Sequence, residues 1–196
     1  MMPDLFETGE NLHLPDDISS ETVSVDSASE LSEASPVLLL CGGGQISVEV
    51  ARLAHACGFV VDVVDETEEF ANAERFPMAR QCVVLPGFEN LVKACGIGCR
   101  HYVAIFTEDH SSDRNALAQS LTSHAQYIGL LGDRNKREQV YAELRTDGVP
   151  DAELAAVCCP MGLRIGAQGP QQIAVAVVAE LLAARAGTLM RLRFDI

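Results

Sequence analysis

The sequence predicts an α/β domain built on a doubly wound parallel sheet, and three observations carry that prediction. Short continuous apolar runs, the signature of parallel strands buried on both faces, recur along the chain, among them Val37-Leu-Leu-Leu-Cys41, Phe59-Val-Val-Asp-Val-Val64 and Tyr102-Val-Ala-Ile-Phe-Thr107. Helical patterns separate these runs, and strands alternating with helices imply a parallel sheet with right-handed crossovers and helices on both faces. Three consecutive glycines, Gly42, Gly43 and Gly44, follow the first run and precede a helix. Glycine permits a tight turn and a close approach of backbone to a ligand.

Taken in order, the pattern begins with an acidic leader at 1–35 that is poor in large apolar residues and is expected to be disordered, although Leu5, Phe6, Leu12 and Leu14 could dock on another surface. The single domain occupies 36–187, and 188–196 forms a C-terminal tail. After the first strand a helix is expected over 46–57, stopped by Gly58, and the second strand follows over 59–64 with Asp65 at its end. A polar stretch at 66–80 leads to a short strand at 81–85 and a helix at 88–95. A strand at 102–107 is followed by a helix at 113–122, a strand at 127–132 and a helix at 133–146 stopped by Gly148. A short helix at 150–157, an irregular or extended segment at 158–166 and a long apolar helix at 170–186 complete the domain.

In such sheets ligands bind at the carboxyl ends of the strands, which places Gly42 to Ser47, Asp65, Thr107 to His110 and Gly132 to Arg134 around one crevice. The glycine loop nearly matches the dinucleotide-binding pattern of Gly, any, Gly, two of any, Gly: Gly42 makes the turn, Gly44 lets a pyrophosphate approach, and Ser47 stands in for the third glycine. Asp65, 21 residues after Gly44, is placed to accept hydrogen bonds from a ribose diol. These features predict a Rossmann-like NAD(P)-binding fold.

Composition bounds the function. With 196 residues and 48% hydrophobic content the chain can bury a core, and no stretch approaches the ~20 apolar residues that cross a membrane. A secretory signal has no support in the N-terminal residues, and a cytoplasmic protein is expected. The net charge is −14, with nine acids and no Lys or Arg in residues 1–36. Nothing offers the basic face that a phosphate backbone requires, which argues against nucleic acid as a partner. The seven cysteines are odd in number and include no Cys-x-x-Cys pair, so neither a disulfide framework nor a structural zinc site is expected from them. The adjacent Cys158 and Cys159 should point to opposite faces of an extended segment and pack there rather than do redox or sulfur chemistry.

Three polar stretches are candidates for chemistry. In the loop after Asp65, Phe70, Phe76 and Pro77 can pack down and leave Asn72 and Arg75 facing the crevice, or the loop is simply structural. Thr107-Glu108-Asp109-His110 has the composition of an acid-base or metal cluster, with His110 the candidate catalytic residue, although a histidine beside carboxylates also serves as an ordinary hydrogen-bonding group. Gly132, Arg134 and Lys136 open a helix whose amides and side chains could hold an anion, or could equally be a charged first turn facing water.

Four ordered motifs together resemble the Rossmann domain of the xanthine dehydrogenase accessory (XdhC/CoxI) family. They are Cys41-Gly-Gly-Gly-Gln-Ile-Ser47, Val64-Asp-Glu-Thr-Glu-Glu-Phe-Ala-Asn-Ala-Glu-Arg-Phe-Pro77, Tyr127-Ile-Gly-Leu-Leu-Gly-Asp-Arg-Asn-Lys136, and the run from Pro160 to Ala174. The resemblance covers 37–187 and implies an accessory role in maturing molybdenum hydroxylases. A molybdopterin-type cofactor, in a dinucleotide form among others, would be bound, its sulfuration assisted beside a cysteine desulfurase, and the cofactor delivered to a xanthine dehydrogenase-like apo-enzyme, with a homodimer as one expected assembly. The cofactor-binding residues so expected are Gly42, Gly43, Gly44, Gln45, Ser47, Asp65, Asn72, Arg75, Thr107, His110, Gly132 and Arg134. The resemblance covers no counterpart of the family's separate N-terminal domain, which is expected to be missing, and Gln45, Asp133, Arg164 and Gln168 stand where the family commonly has His, Ser, Asp and Glu. An NAD(P)-dependent oxidoreductase, with His110 transferring a proton, is the alternative reading.

Overall fold

The computed structural model describes residues 35–189, so the leader and all but the start of the tail lie outside the described residues. Five parallel strands form one sheet in the order β3-β2-β1-β4-β5: β1 Val37–Cys41, β2 Val60–Asp65, β3 Gln81–Val84, β4 His101–Ile105 and β5 Tyr127–Leu130. β1 is central, with Val37 opposite Val60 and His101, and Cys41 opposite Val64 and Ile105. Every residue of β1 and β4 is buried, which is why both read as continuous rather than alternating runs.

Because side chains alternate across a strand, the sheet divides the core in two. Leu38, Leu40, Val61, Val63 and Ala104 face α1 (Gln45–Ala56) and α6 (Gly169–Arg185), meeting Val50, Ala54, Val177 and Leu181. Leu39, Cys41, Val64, Val103 and Ile105 face the other helices, α2 (Leu91–Cys95), α3 (His110–Leu121), α4 (Arg134–Thr146) and α5 (Asp151–Ala156). Each fully buried leucine of β1 contributes about 1.5–3 kcal/mol by its removal from water. Cys158 packs in the first core and Cys159 in the second, as adjacent residues of an extended segment must, and the carbonyl of Cys158 accepts Leu130 N–H at 3.0 Å along the edge of β5.

Asp62, inside the β2 run, is buried and is paired with Arg80, whose Nε donates to it at 2.9 Å, while the Gln81 amide donates a further hydrogen bond to it. Helix α1 ends where Gly58, at φ 83°, lets Phe59 N–H reach back to Ala54 and Gly58 N–H to His55. Four helix starts fall within one residue of the pattern reading, and two differ from it by three residues, both for local reasons. Phe88 sits in the left-handed region at φ 57°, so the helix expected from 88 begins only at Leu91. Asp109 caps α3 by accepting Ser112 N–H at 2.9 Å, so that helix begins at His110 rather than at 113. No helix among the described residues is long and apolar enough to cross a membrane.

Candidate nucleotide site

At the carboxyl edge of the sheet the chain leaves β1 through three glycines with three different reasons for being glycine. Gly42 has φ 100°, and a Cβ there would lie 2.7 Å from the carbonyl oxygen of Phe106. At Gly43 a Cβ would lie 2.2 Å from the carbonyl oxygen of Phe70, so the loop after β2 sits directly on it. Gly44 has an ordinary φ of −65°, and a Cβ there would meet nothing within 4 Å. The protein's own packing requires the first two glycines, whereas Gly44 opens onto empty space at the head of α1. Ser47, buried in the first turn, donates its Oγ–H to Gly42 O at 2.6 Å and holds the turn closed.

The first turn of α1 has no capping side chain and no acidic residue. By contrast, α3 and α4 are capped by Asp109 and Asp133. Helix N-termini leave amides unpaired and carry partial positive charge, so this uncapped end, beside open space, suits an anion.

A cavity of ≈ 250 Å³ lies there. One wall is the glycine loop, and a second is Asp65, Glu66 and Thr67 from the end of β2 with Phe70 beyond. The third is Phe106, Thr107, Glu108 and Asp109 after β4, with Phe88 completing the lining. Asp65 Oδ2 accepts Gly43 N–H at 2.8 Å and Oδ1 accepts Thr67 N–H at 3.0 Å, so this carboxylate braces the glycine loop. Glu66 accepts Gly87 N–H at 2.9 Å and Ser112 Oγ–H at 2.8 Å, joining the turn before Phe88 to α3. The hydrogen bonds of Ser111 and Ser112 hold the Asp109 carboxyl well below the usual carboxylate range. Glu108 makes no hydrogen bond or ion pair with any described residue.

Behind Thr107 lies a buried polar group. Thr107 Oγ1–H donates to Asp113 at 2.5 Å, and Lys136, from the first turn of α4, pairs with the other Asp113 oxygen. Lys136 Nζ also reaches the carbonyls of Thr107 at 3.4 Å and Leu131 at 3.5 Å. Burial pushes the Asp113 carboxyl up, and the hydrogen bonds of Lys136 and Thr107 oppose it. The trio ties β4, α3 and α4 together at the edge of the cavity.

Of the residues singled out in the sequence, Gly42, Gly43, Gly44, Asp65 and Thr107 meet around the cavity, with Ser47 underneath. The six others lie outside its lining. Gln45 is exposed on α1. Asn72 folds its own loop, donating to the carbonyls of Glu68 and Glu69 and accepting Arg75 N–H at 2.9 Å, which leaves no side chain aimed at the crevice. His110 is carried away from it by the first turn of α3 and sits 2.9 Å from Glu143 of α4. Gly132 packs under Lys136, where a Cβ would lie 2.7 Å from Lys136 Cδ, and Arg134 is exposed. Arg75 is a wall support: its guanidinium donates to Gly43 O at 3.0 Å and lies 5.2 Å over the Phe70 ring, with Nε buried and unpaired. The polar stretches contain Glu66, Glu108, Asp109 and Lys136, but only the caps, which follow the Asp-x-x-x spacing at helix starts, are signalled locally.

A family model described as the XdhC Rossmann domain matches residues 38–181. The chain is 34% identical over 147 residues to the uncharacterized protein YqeB of Escherichia coli (strain K12), an alignment covering 75% of this chain and 27% of that protein. It is 29% identical over 185 residues to a probable xanthine dehydrogenase subunit of Bacillus subtilis (strain 168), covering 94% of this chain and 52% of that one. A crystal structure of a xanthine dehydrogenase from Bacillus halodurans superposes with a TM-score of 0.68 at 25% identity, covering 78% of this chain and 43% of that chain. The chain therefore spans about a quarter to a half of the length of these relatives. With the matched region running from inside β1 to the last turns of α6, across the whole sheet and its glycine loop, the chain belongs to the family of XdhC Rossmann domains.

Proposed function

We propose that this chain is an accessory protein in the maturation of a molybdenum hydroxylase of the xanthine dehydrogenase type, and that its crevice holds the nucleotide end of a molybdopterin-type cofactor. The observation that carries the ligand half of this reading is Gly44, a glycine that the fold itself does not need, at the head of an uncapped helix facing a cavity. A pyrophosphate placed there meets unpaired amides and the positive end of α1. Asp65, already oriented by Gly43 and Thr67, retains lone pairs for a ribose hydroxyl. Phe70, Phe88 and Phe106 give the cavity its apolar surface.

The client half rests on the family and on the name borne by the Bacillus subtilis relative. In this reading the chain works in the cytoplasm, a cysteine desulfurase supplies the sulfur, and the protein holds and hands over cofactor without turning over a substrate of its own. The oxidoreductase alternative loses its proton-transfer residue, because His110 pairs with Glu143 outside the cavity. The test is mass spectrometry of small molecules released from the protein purified from its native host, together with activation of an apo-hydroxylase. A pterin nucleotide in the extract and a rise in hydroxylase activity are expected. An empty protein that leaves the hydroxylase inactive would overturn the reading.

A further inference from the structure

We infer that the outer face of α6 docks a second copy of this chain, the two helices lying antiparallel across a two-fold axis. The inference is independent of the nucleotide reading and of the client reading above.

α6 is apolar on two sides. Its inner side, with Ala174, Val177, Val178 and Leu181, is buried in the first core. On its outer side Val175 is 51% and Leu182 39% exposed, Ala179 is half-buried between them, and Ala186 is exposed just past the helix end. A surface helix ordinarily turns polar residues to solvent, as α4 does with Glu138, Glu143 and Arg145. A helix that is apolar all round belongs under a cover. Between 165 and 184 the one charged residue is Glu180, which is buried and accepts hydrogen bonds from Tyr127 and Gly162. With no lysine or arginine on it, this face does not suit anionic lipid headgroups.

What fits the face is the face itself. Val175, Ala179, Leu182 and Ala186 recur at intervals of four, three and four residues, the seam of knobs-into-holes packing. That series of intervals reads the same in both directions, so two copies laid antiparallel bring seam onto seam. Val175 then lies opposite the second copy's Ala186, and Leu182 opposite the second copy's Ala179. A large residue meets a small one at every layer, which lets the helices approach closely and leaves no void between them. Charge selects the same face. Each chain carries a net charge of −14, so two copies repel except where neither presents an acid, and the outer side of α6 presents none. Ile165, 56% exposed, lies on the loop held along α6 by Leu163 N–H, which donates to Ala176 O at 3.1 Å, and widens the apolar margin. α6 begins beside α1, where Gln171 Nε2 donates to Glu49 at 2.9 Å. Antiparallel pairing therefore sets the two glycine loops toward opposite ends of the paired helices.

Sedimentation equilibrium of the full chain over a wide range of concentrations is the test. Wild type is expected to pass from the 21.0 kDa of one chain to twice that mass. Association should tighten as salt is added, because salt screens the repulsion between two acidic chains and the seam has no ion pair to lose. Val175→Glu and Leu182→Glu each bring a carboxylate from both copies into the seam and should raise the dissociation constant about a hundredfold. Both positions are exposed in the single chain, so melting temperatures of dilute protein should match wild type and show that the variants fold. The two are read independently, and should either fail to fold the other decides. Ala179→Leu adds no charge but sets large against large, and should weaken pairing as well. A wild type that keeps the mass of one chain at every concentration, its outer face left to some other protein, overturns the inference. A dimer that none of these variants weakens overturns it too, because its contact then lies elsewhere.

Discussion

Gly43 N–H donates to Asp65 Oδ2 at 2.8 Å, which ties the end of β2 to the loop leaving β1. An acid at that point reads from sequence as a ribose ligand alone, but here it is also a brace for the loop that would receive the phosphate. Asp65→Ala should therefore cost stability as well as affinity. Loss of the two backbone bonds is expected to lower unfolding free energy by about 1–3 kcal/mol, measured by urea denaturation. Asp65→Asn keeps one acceptor oxygen but turns its NH2 toward the other backbone N–H, so it should recover only part of the stability and not the dinucleotide affinity. Full stability in Asp65→Ala would remove the brace.

The three glycines should separate cleanly by substitution. Gly42→Ala and Gly43→Ala drive a Cβ against the backbone of Phe106 and Phe70, and both should give markedly lower melting temperatures. Gly44→Ala meets no atom within 4 Å at a φ of −65°, so its stability should stay within about 1 kcal/mol of wild type. Its dinucleotide affinity should nonetheless fall sharply, because the methyl group occupies the space where a pyrophosphate approaches. Thermal scans and titrations of all three variants check both halves.

The order of elements was legible because it rests on local signals. Continuous runs at Val37 and Tyr102 announce strands buried on both faces, and Gly58 and Gly148 stop their helices by their own backbone freedom. The assembly of the site was less legible because it depends on contacts between residues far apart. Gly43 must be glycine because Phe70 lies on it, and nothing near Gly43 in sequence says so. Lys136 reads as part of an exposed anion site, but Asp113, on another helix, claims its charge. The direction of His110 is set by a detail, the Asp109 cap, which starts α3 three residues early and turns the imidazole toward α4. That Glu108 is unengaged is a tertiary fact which no spacing encodes.

The two acids that flank this helix start should respond to pH in opposite directions. The Asp109 carboxyl is held below its usual range by Ser111 and Ser112, so its contribution is present above that range and is lost as pH falls through the lowered value. Asp109→Ala is expected to cost about 0.5–2 kcal/mol near neutrality and progressively less in acid. Asp113 is pushed up by burial, so folding favours its neutral form; that contribution is full below the usual carboxylate range and is lost as pH rises through the raised value. Lys136→Met removes the cation that opposes this shift. The variant should match wild type most closely in acid and fall behind as pH rises, toward about 3 kcal/mol. Denaturant unfolding of both variants between acid and neutral pH should show both deficits growing as pH rises, and a deficit that stays constant or grows toward acid in either variant would contradict the assignment of that acid.

His110 and Glu143 form an exposed pair on the α3–α4 face, and the histidine lies in a shallow depression with Arg114, Thr146 and Asp147 rather than in the cavity. Exposed pairs of this kind contribute little because both partners are solvated. His110→Ala should change stability by no more than about 0.5–1 kcal/mol and leave NADH affinity at the wild-type value, in contrast to Gly44→Ala. Under the accessory reading, neither protein alone should oxidise or reduce a substrate with a nicotinamide cofactor, and activation of an apo-hydroxylase should survive the replacement. Were His110 a proton-transfer residue, wild type would turn over a nicotinamide-dependent substrate and the alanine variant would lose roughly 10²–10⁴ of that rate. Such a loss would require His110 to leave Glu143 and swing into the crevice, against the helix start that Asp109 fixes.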